Sequence, residues 1–136
     1  MPADAARLRW FVDESALGLG KTLEIARRDV VHAGHRLIPE VPYGAFDHVW
    51  IPEVAARGLT VIARDKRIRT KPAEIVALKQ HGLRVFWIAG KRDLTTWGYL
   101  VRIVQRWDDM EQALRDKGSG PWFVGVTDGG LRDWDL

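Results

Sequence analysis

The chain has 136 residues, a length that suits one domain spanning 1–136. It contains no cysteine, which excludes structural disulfides, thiolate zinc sites and cysteine nucleophiles. Lysine and arginine number 21 against 18 aspartate and glutamate, a net +3 that permits a polyanionic partner without establishing one.

No apolar run reaches the roughly 18 residues of a membrane span, and the opening "MPADAARLRW" lacks the pattern of a signal peptide. A cytoplasmic protein is the expectation. The first predicted element is a strand over residues 9–13, carried by Trp10, Phe11 and Val12. A helix is predicted over 21–33, with Gly34 ending it, and then a brief strand at "HRLIP". "PEVPYGAF" is a loop by its proline and glycine content. Asp47 stands where a helix N-cap is expected, before a stretch that Pro52 kinks or restarts and Gly58 closes. "LTVIA" is a strand, "PAEIVALKQHG" a helix opened by Pro72, and "LRVFWIA" a fourth strand. The longest predicted helix covers 96–116, with Leu100, Ile103, Val104, Trp107, Met110 and Leu114 on one side. "WFVGVT" is a candidate last strand, and the tail "DGGLRDWDL" is expected to be mobile. Strand and helix alternate throughout, which predicts a mostly parallel sheet with helices on both faces.

The stretch "RWFVDESALGLGKT" admits two opposite readings. A phosphate-binding loop needs Gly-x-x-x-x-Gly-Lys-Thr directly after a strand. Counting back from "GKT" puts Ser15 where the first glycine belongs, and Asp13 and Glu14 would repel a phosphate there. Gly18 and Gly20 then read as a flexible turn. The acidic reading recurs elsewhere in the chain. In an open parallel sheet, sites form beyond the carboxyl ends of the strands, near the point where strand order reverses. Asp13 ends the first strand, Asp65 ends the strand of "TVIARD", and Asp47 follows the second strand. A 2-1-3-4 order would set Asp13 beside Asp65, with Asp47 arriving from the loop above. Three carboxylates at one edge repel each other unless a cation lies between them, and hard oxygen ligands suit Mg²⁺ or Mn²⁺. Taken singly, Asp47 also reads as an N-cap and Asp13 as a turn residue; their shared address points to a site.

The pieces "FVDE" and "FDHVWIPEVAARGLTVIARDKRIRTKPAEIVALKQHGLRVF" resemble the PIN-like domains, in particular the compact subgroup akin to VapC-type toxin ribonucleases. The resemblance covers about residues 9–90, and "RDKRIRTKPAE" is its most specific part. It implies a three-layer α/β sandwich with a mostly parallel sheet of about four strands, order 2-1-3-4. The activity it implies is a metal-dependent endoribonuclease using Mg²⁺ or Mn²⁺, acting as the toxin of a VapBC-type pair. RNA substrate, a small antitoxin protein and a homodimer are the partners that follow. Asp13, Asp47 and Asp65 match the family's acidic triad, as catalytic and metal-holding residues. Relatives often carry a further acid shortly after the third aspartate, where this chain has Lys66 and Arg67. Glu14 and Glu74 are the candidates for that fourth carboxylate, although Glu74 is also explained as an acid in the first turn of a helix.

Arg64, Lys66, Arg67, Arg69 and Lys71 put five basic residues within eight positions around Asp65. Beside a metal site they would offset the backbone charge of single-stranded or looped RNA; the plainer reading is a solvated loop. His32, His35, His48 and His81 read as structural or surface residues, and Trp107 as core. Trp122 and Trp134 read either as a dimer or antitoxin surface or as a packed C-terminal lid. Two other functions compete. A phospho-acceptor receiver domain would use the Asp13–Glu14 pair, Asp65 and Lys91, but leaves Asp47 idle. A PIN-like fold without activity would bind RNA or protein only.

Overall fold

Three consecutive apolar residues form β1 (Trp10–Val12), and all three are buried because helices cover both faces of its sheet. The computed structural model describes residues 7–64, 67–90 and 93–136. It places β1 in a six-stranded sheet of order β2-β1-β3-β4-β5-β6. The other strands are β2 (Val30–His32), β3 (Thr60–Arg64), β4 (Arg84–Ile88), β5 (Trp122–Val126) and β6 (Leu131–Trp134). The first five are parallel, and β6 pairs antiparallel with β5. The expected 2-1-3-4 order is therefore present as part of a wider sheet of six strands rather than four.

Side chains alternate across this sheet. Trp10, Val12, Ile62 and Phe86 face α1 (Leu17–Ala26) and α4 (Thr96–Lys117), whose Leu19, Leu23, Ile103 and Met110 complete one core layer. Phe11, Val61, Val85 and Trp87 form the other layer with Ile51 and Val54 of α2 (Asp47–Ala56) and Leu78 of α3 (Pro72–Gln80). The three-layer sandwich follows directly from that alternation.

Several predicted boundaries move. The first helix spans Leu17–Ala26, so Gly18 and Gly20 lie inside it instead of forming a turn. Gly20 is there because the helix presses onto the sheet: a Cβ would sit 2.9 Å from the His32 Cβ and 3.1 Å from the Val12 Cβ. Val30 and Val31, assigned to that helix by spacing, are β-branched and fully covered, and they form β2 in place of "HRLIP", which has no strand. Pro52 does not split α2, which runs through it at the loss of one backbone donor.

The tail expected to be mobile forms β6. Its Trp134 stacks on Trp87 at 5.5 Å and 16°, and the Arg69 guanidinium lies 4.8 Å from the ring centre. Gly125 on β5 leaves the room this ring needs, since a Cβ there would fall 2.4 Å from the indole nitrogen. Trp122 meets Phe86 edge-on at 5.2 Å. Both tryptophans therefore pack as a C-terminal cover. Trp107, partly buried, meets Trp10 with ring centres 4.7 Å apart and planes tilted by 47°, whereas Val104, expected on the same apolar stripe, is 60% exposed. No helix among the described residues is long and apolar enough to cross a membrane.

Candidate active site

The backbone N–H of Asp13, directly after β1, donates to the Ile62 carbonyl of β3 at 2.9 Å, so Asp13 stands at the carboxyl edge of two neighbouring strands. Its side chain caps the short 3-10 turn Glu14–Ala16, with Oδ2 accepting the Ser15 N–H at 3.1 Å. The Ser15 hydroxyl oxygen in turn accepts the Arg64 N–H at 3.1 Å, tying the ends of β1 and β3 together. Asp13 is thus a turn residue whose position also lines the acidic pocket described below.

Asp47 is not an N-cap. Phe46 holds that position in extended geometry, and Asp47 is the first residue of α2. One turn later the Trp50 indole N–H donates to Asp47 Oδ1 at 3.0 Å. Trp50 is 6% exposed and stacks on Phe11 at 5.5 Å, so a core side chain steers this exposed carboxylate. Glu74 comes from the first turn of α3, opened by Pro72. Burial, then the charge of Asp47, holds its carboxyl above the ordinary carboxylate range; Lys71 opposes this, and Asp13 adds to it. Asp13, Glu14, Asp47 and Glu74 all line one pocket of about 280 Å³, together with Phe11, Ser15 and Trp50. A narrow cleft beside it is shared by Asp13, Ser15, Arg64, Lys71 and Glu74.

Asp65, the third member of the predicted triad, lies outside the described residues, as do Lys66 and the Lys91 of the receiver reading. Among the described residues no group of three histidine, aspartate or glutamate side chains is arranged to hold a metal ion. Glu14 directs one oxygen to the backbone: its Oε1 accepts the Gly44 N–H at 2.8 Å, anchoring the loop before α2. In donor chemistry, as distinct from arrangement, the pocket's lining fits a hard divalent cation, since its ionisable groups are carboxylates from separate elements.

The basic run divides. Arg64 pairs with Asp93 at 2.6 Å and lies 5.5 Å from the Tyr99 ring centre, while Arg69 is over Trp134. Arg67 is exposed, with φ of 59°, ahead of the 3-10 turn Ile68–Thr70. Lys71 reaches the acidic cleft. Sequence reasoning missed Trp50 and Ser15. The spacing Asp-x-x-Trp at the start of a helix was the available signal for the first, and Asp-x-Ser at a strand end for the second.

An α/β sandwich that gathers carboxylates at the carboxyl edge of a parallel sheet belongs to the class of domains with a polar site at a switch in strand order. A family model described as a PIN like domain matches residues 8–90, and the chain belongs to that family. No curated protein and no solved structure matches the chain. PIN-like domains are typically nucleases and are generally dependent on divalent metal. Family membership displaces the receiver-domain reading, and the placement of Asp47 on the same pocket as Asp13 removes the idle residue that reading required.

Proposed function

We propose that this protein is a metal-dependent endoribonuclease of the VapC-like toxin type. The observation that carries the reading is the meeting of Asp13, Asp47 and Glu74, from three separate elements, on one pocket in a PIN-like chain. Asp13, Asp47 and Asp65 would hold Mg²⁺ or Mn²⁺, with Glu74 the nearer candidate for a fourth ligand. Glu14 is the weaker one because it already accepts the Gly44 N–H. When bound, the ion supplies Lewis-acid polarisation of the phosphodiester and of the hydrolytic water. Lys71, at the cleft, would draw a phosphate toward the carboxylates, and exposed Arg67 would screen the neighbouring backbone charge. Arg64 and Arg69 contribute less, being engaged with Asp93 and with Trp134. A small antitoxin protein as partner, and a homodimer, belong to the same reading; a neighbouring gene for a small DNA-binding protein would support the toxin assignment.

The test is cleavage of an unstructured RNA by the purified protein with Mn²⁺. Asp13→Asn and Asp65→Asn are each expected to reduce cutting to background without altering the circular dichroism spectrum. Variants that cut as fast as the parent end the proposal.

A further inference from the structure

The side chain of Phe46 has no packing or capping role, although its carbonyl accepts the N–H groups of Val49 and Trp50 at the start of α2. Its ring is 71% exposed, so it adds nothing to either core layer. It also occupies the N-cap of α2, yet makes no side-chain cap hydrogen bond where a serine, asparagine or aspartate would. The ring is nonetheless oriented. It lies parallel to the exposed imidazole of His48, with centres 5.7 Å apart and planes 10° from each other. Its two chain neighbours, Ala45 and Asp47, both line the acidic pocket. The loop that leads to it is fixed to the site by the Gly44 N–H on Glu14 and returns on itself through Ala45 N–H to the Pro42 carbonyl, at 3.2 Å.

We infer that the Phe46–His48 ring pair is a base-stacking subsite, which holds an unpaired nucleobase beside the acidic pocket, the attached phosphate entering that pocket when a divalent cation offsets its carboxylates. The inference rests on the nuclease reading above, whose single-stranded or looped substrate has bases free to stack. Every base has a flat face, so stacking on an aromatic ring is available to any unpaired nucleotide. Bases inside a duplex are stacked on each other and cannot reach such a ring. A ring already held against a stacked neighbour loses little freedom when a base settles on its open face. Tyr43, 53% exposed, does not join this platform: its ring lies against Gly34 and under the Lys21 ammonium, 5.7 Å from the ring centre.

The experiment measures binding of two labelled ten-nucleotide strands by fluorescence anisotropy, with Ca²⁺ in place of Mn²⁺ to offset the carboxylates and with strand integrity checked on a gel. One is oligoadenylate RNA; the other is an abasic phosphodiester strand of equal length and charge. The wild type is expected to prefer the base-bearing strand. Phe46→Leu is expected to weaken that binding about tenfold or more, the range of one base–aromatic stack, and to leave abasic binding unchanged. Phe46→Trp is expected to restore it. The exposure of the ring and its lack of a cap bond mean that neither substitution should lower the melting temperature, which serves as the folding control. Equal binding of both strands by the wild type, or unchanged RNA binding by Phe46→Leu, overturns the subsite. Cleavage with Mn²⁺ separates the two claims. Wild-type protein that cuts RNA, with Phe46→Leu binding and cutting equally well, removes the subsite and leaves the nuclease. Wild-type protein that neither binds nor cuts removes both.

Discussion

Replacing Trp50 by phenylalanine tests whether the core positions the site. The substitution keeps an aromatic ring against Phe11 but deletes the indole N–H that donates to Asp47 Oδ1 at 3.0 Å. A hydrogen bond to a charged group contributes about 1.5–3 kcal/mol when desolvated. Asp47 is exposed, so about 1 kcal/mol is the better figure here. Trp50 itself is 6% exposed, and losing part of its volume leaves a void that costs a further 1–2 kcal/mol, roughly. The melting temperature should then fall by about 10 °C for a domain of this size. Where Asp47 holds the metal as proposed above, the functional effect is larger in proportion. Groups that orient a metal ligand typically contribute about 10- to 100-fold in metal affinity or activity. A tenfold weaker Mn²⁺ site reduces metal-induced stabilisation by about 1.4 kcal/mol at a fixed, saturating metal concentration. Calorimetry with and without Mn²⁺, on Trp50→Phe, Asp47→Asn and the double variant, gives the decisive comparison. If Trp50 acts through Asp47, the double variant shows the same metal-induced shift as Asp47→Asn alone. A full Mn²⁺ shift in Trp50→Phe would refute the reasoning, because the lost stability would then be packing and nothing else.

Two further outcomes follow from the charges. Glu74→Gln removes a half-buried charge that faces Asp47 and Asp13, so the metal-free protein should gain up to about 1 kcal/mol at neutral pH, limited by the water that still reaches the group; it should also lose part of the Mn²⁺ shift, and a destabilised apo variant would contradict this. At the opposite edge of the sheet, the Arg9 guanidinium holds the Glu111 carboxyl below its ordinary range, first through their hydrogen bond and then through its charge. For Asp29, burial pushes the carboxyl up, but the Arg27 hydrogen bond and the charges of Arg27 and Arg9 outweigh it, and the net direction is down. Depressed carboxyls stabilise the fold above their unfolded values, near pH 4, and this contribution is lost as pH falls through the folded ones. Urea unfolding from pH 6 to pH 3 should therefore show a steep loss of stability, made shallower by Glu111→Gln; an identical slope in the variant would rule the pair out as a source.

What was legible in the sequence follows from the kind of signal each feature leaves. β3, β4 and β5 were readable because five-residue runs buried on both faces are nearly continuous in apolar residues, and α4 because 22 residues give periodicity room to show. β2 has three residues directly after a helix, so Val30 and Val31 fitted a helical spacing equally well. β6 is an edge strand of Leu, Arg, Asp and Trp, and what orders it is a ring seated over Gly125 and against Trp87, a contact between distant parts of the chain. The site divides in the same way. The position of Asp13 was readable because a residue directly after a parallel strand stands at the carboxyl edge whatever fills the core; Asp47 opens α2 well after β2, and the loop tied to Glu14 through Gly44 brings it to the same pocket. Glu74 stands in the first turn of a helix, where acids are favoured, and it also lines the pocket with Asp47 and Asp13, a neighbourhood that its sequence position does not reveal. Trp50 was hidden for the opposite reason. A large apolar residue on a helix already has a sufficient explanation in packing, and the polar edge of its ring becomes visible only when Asp47 is found 3.0 Å from it. The residues most easily missed are those for which the core supplies a complete and correct reason that is not the only one.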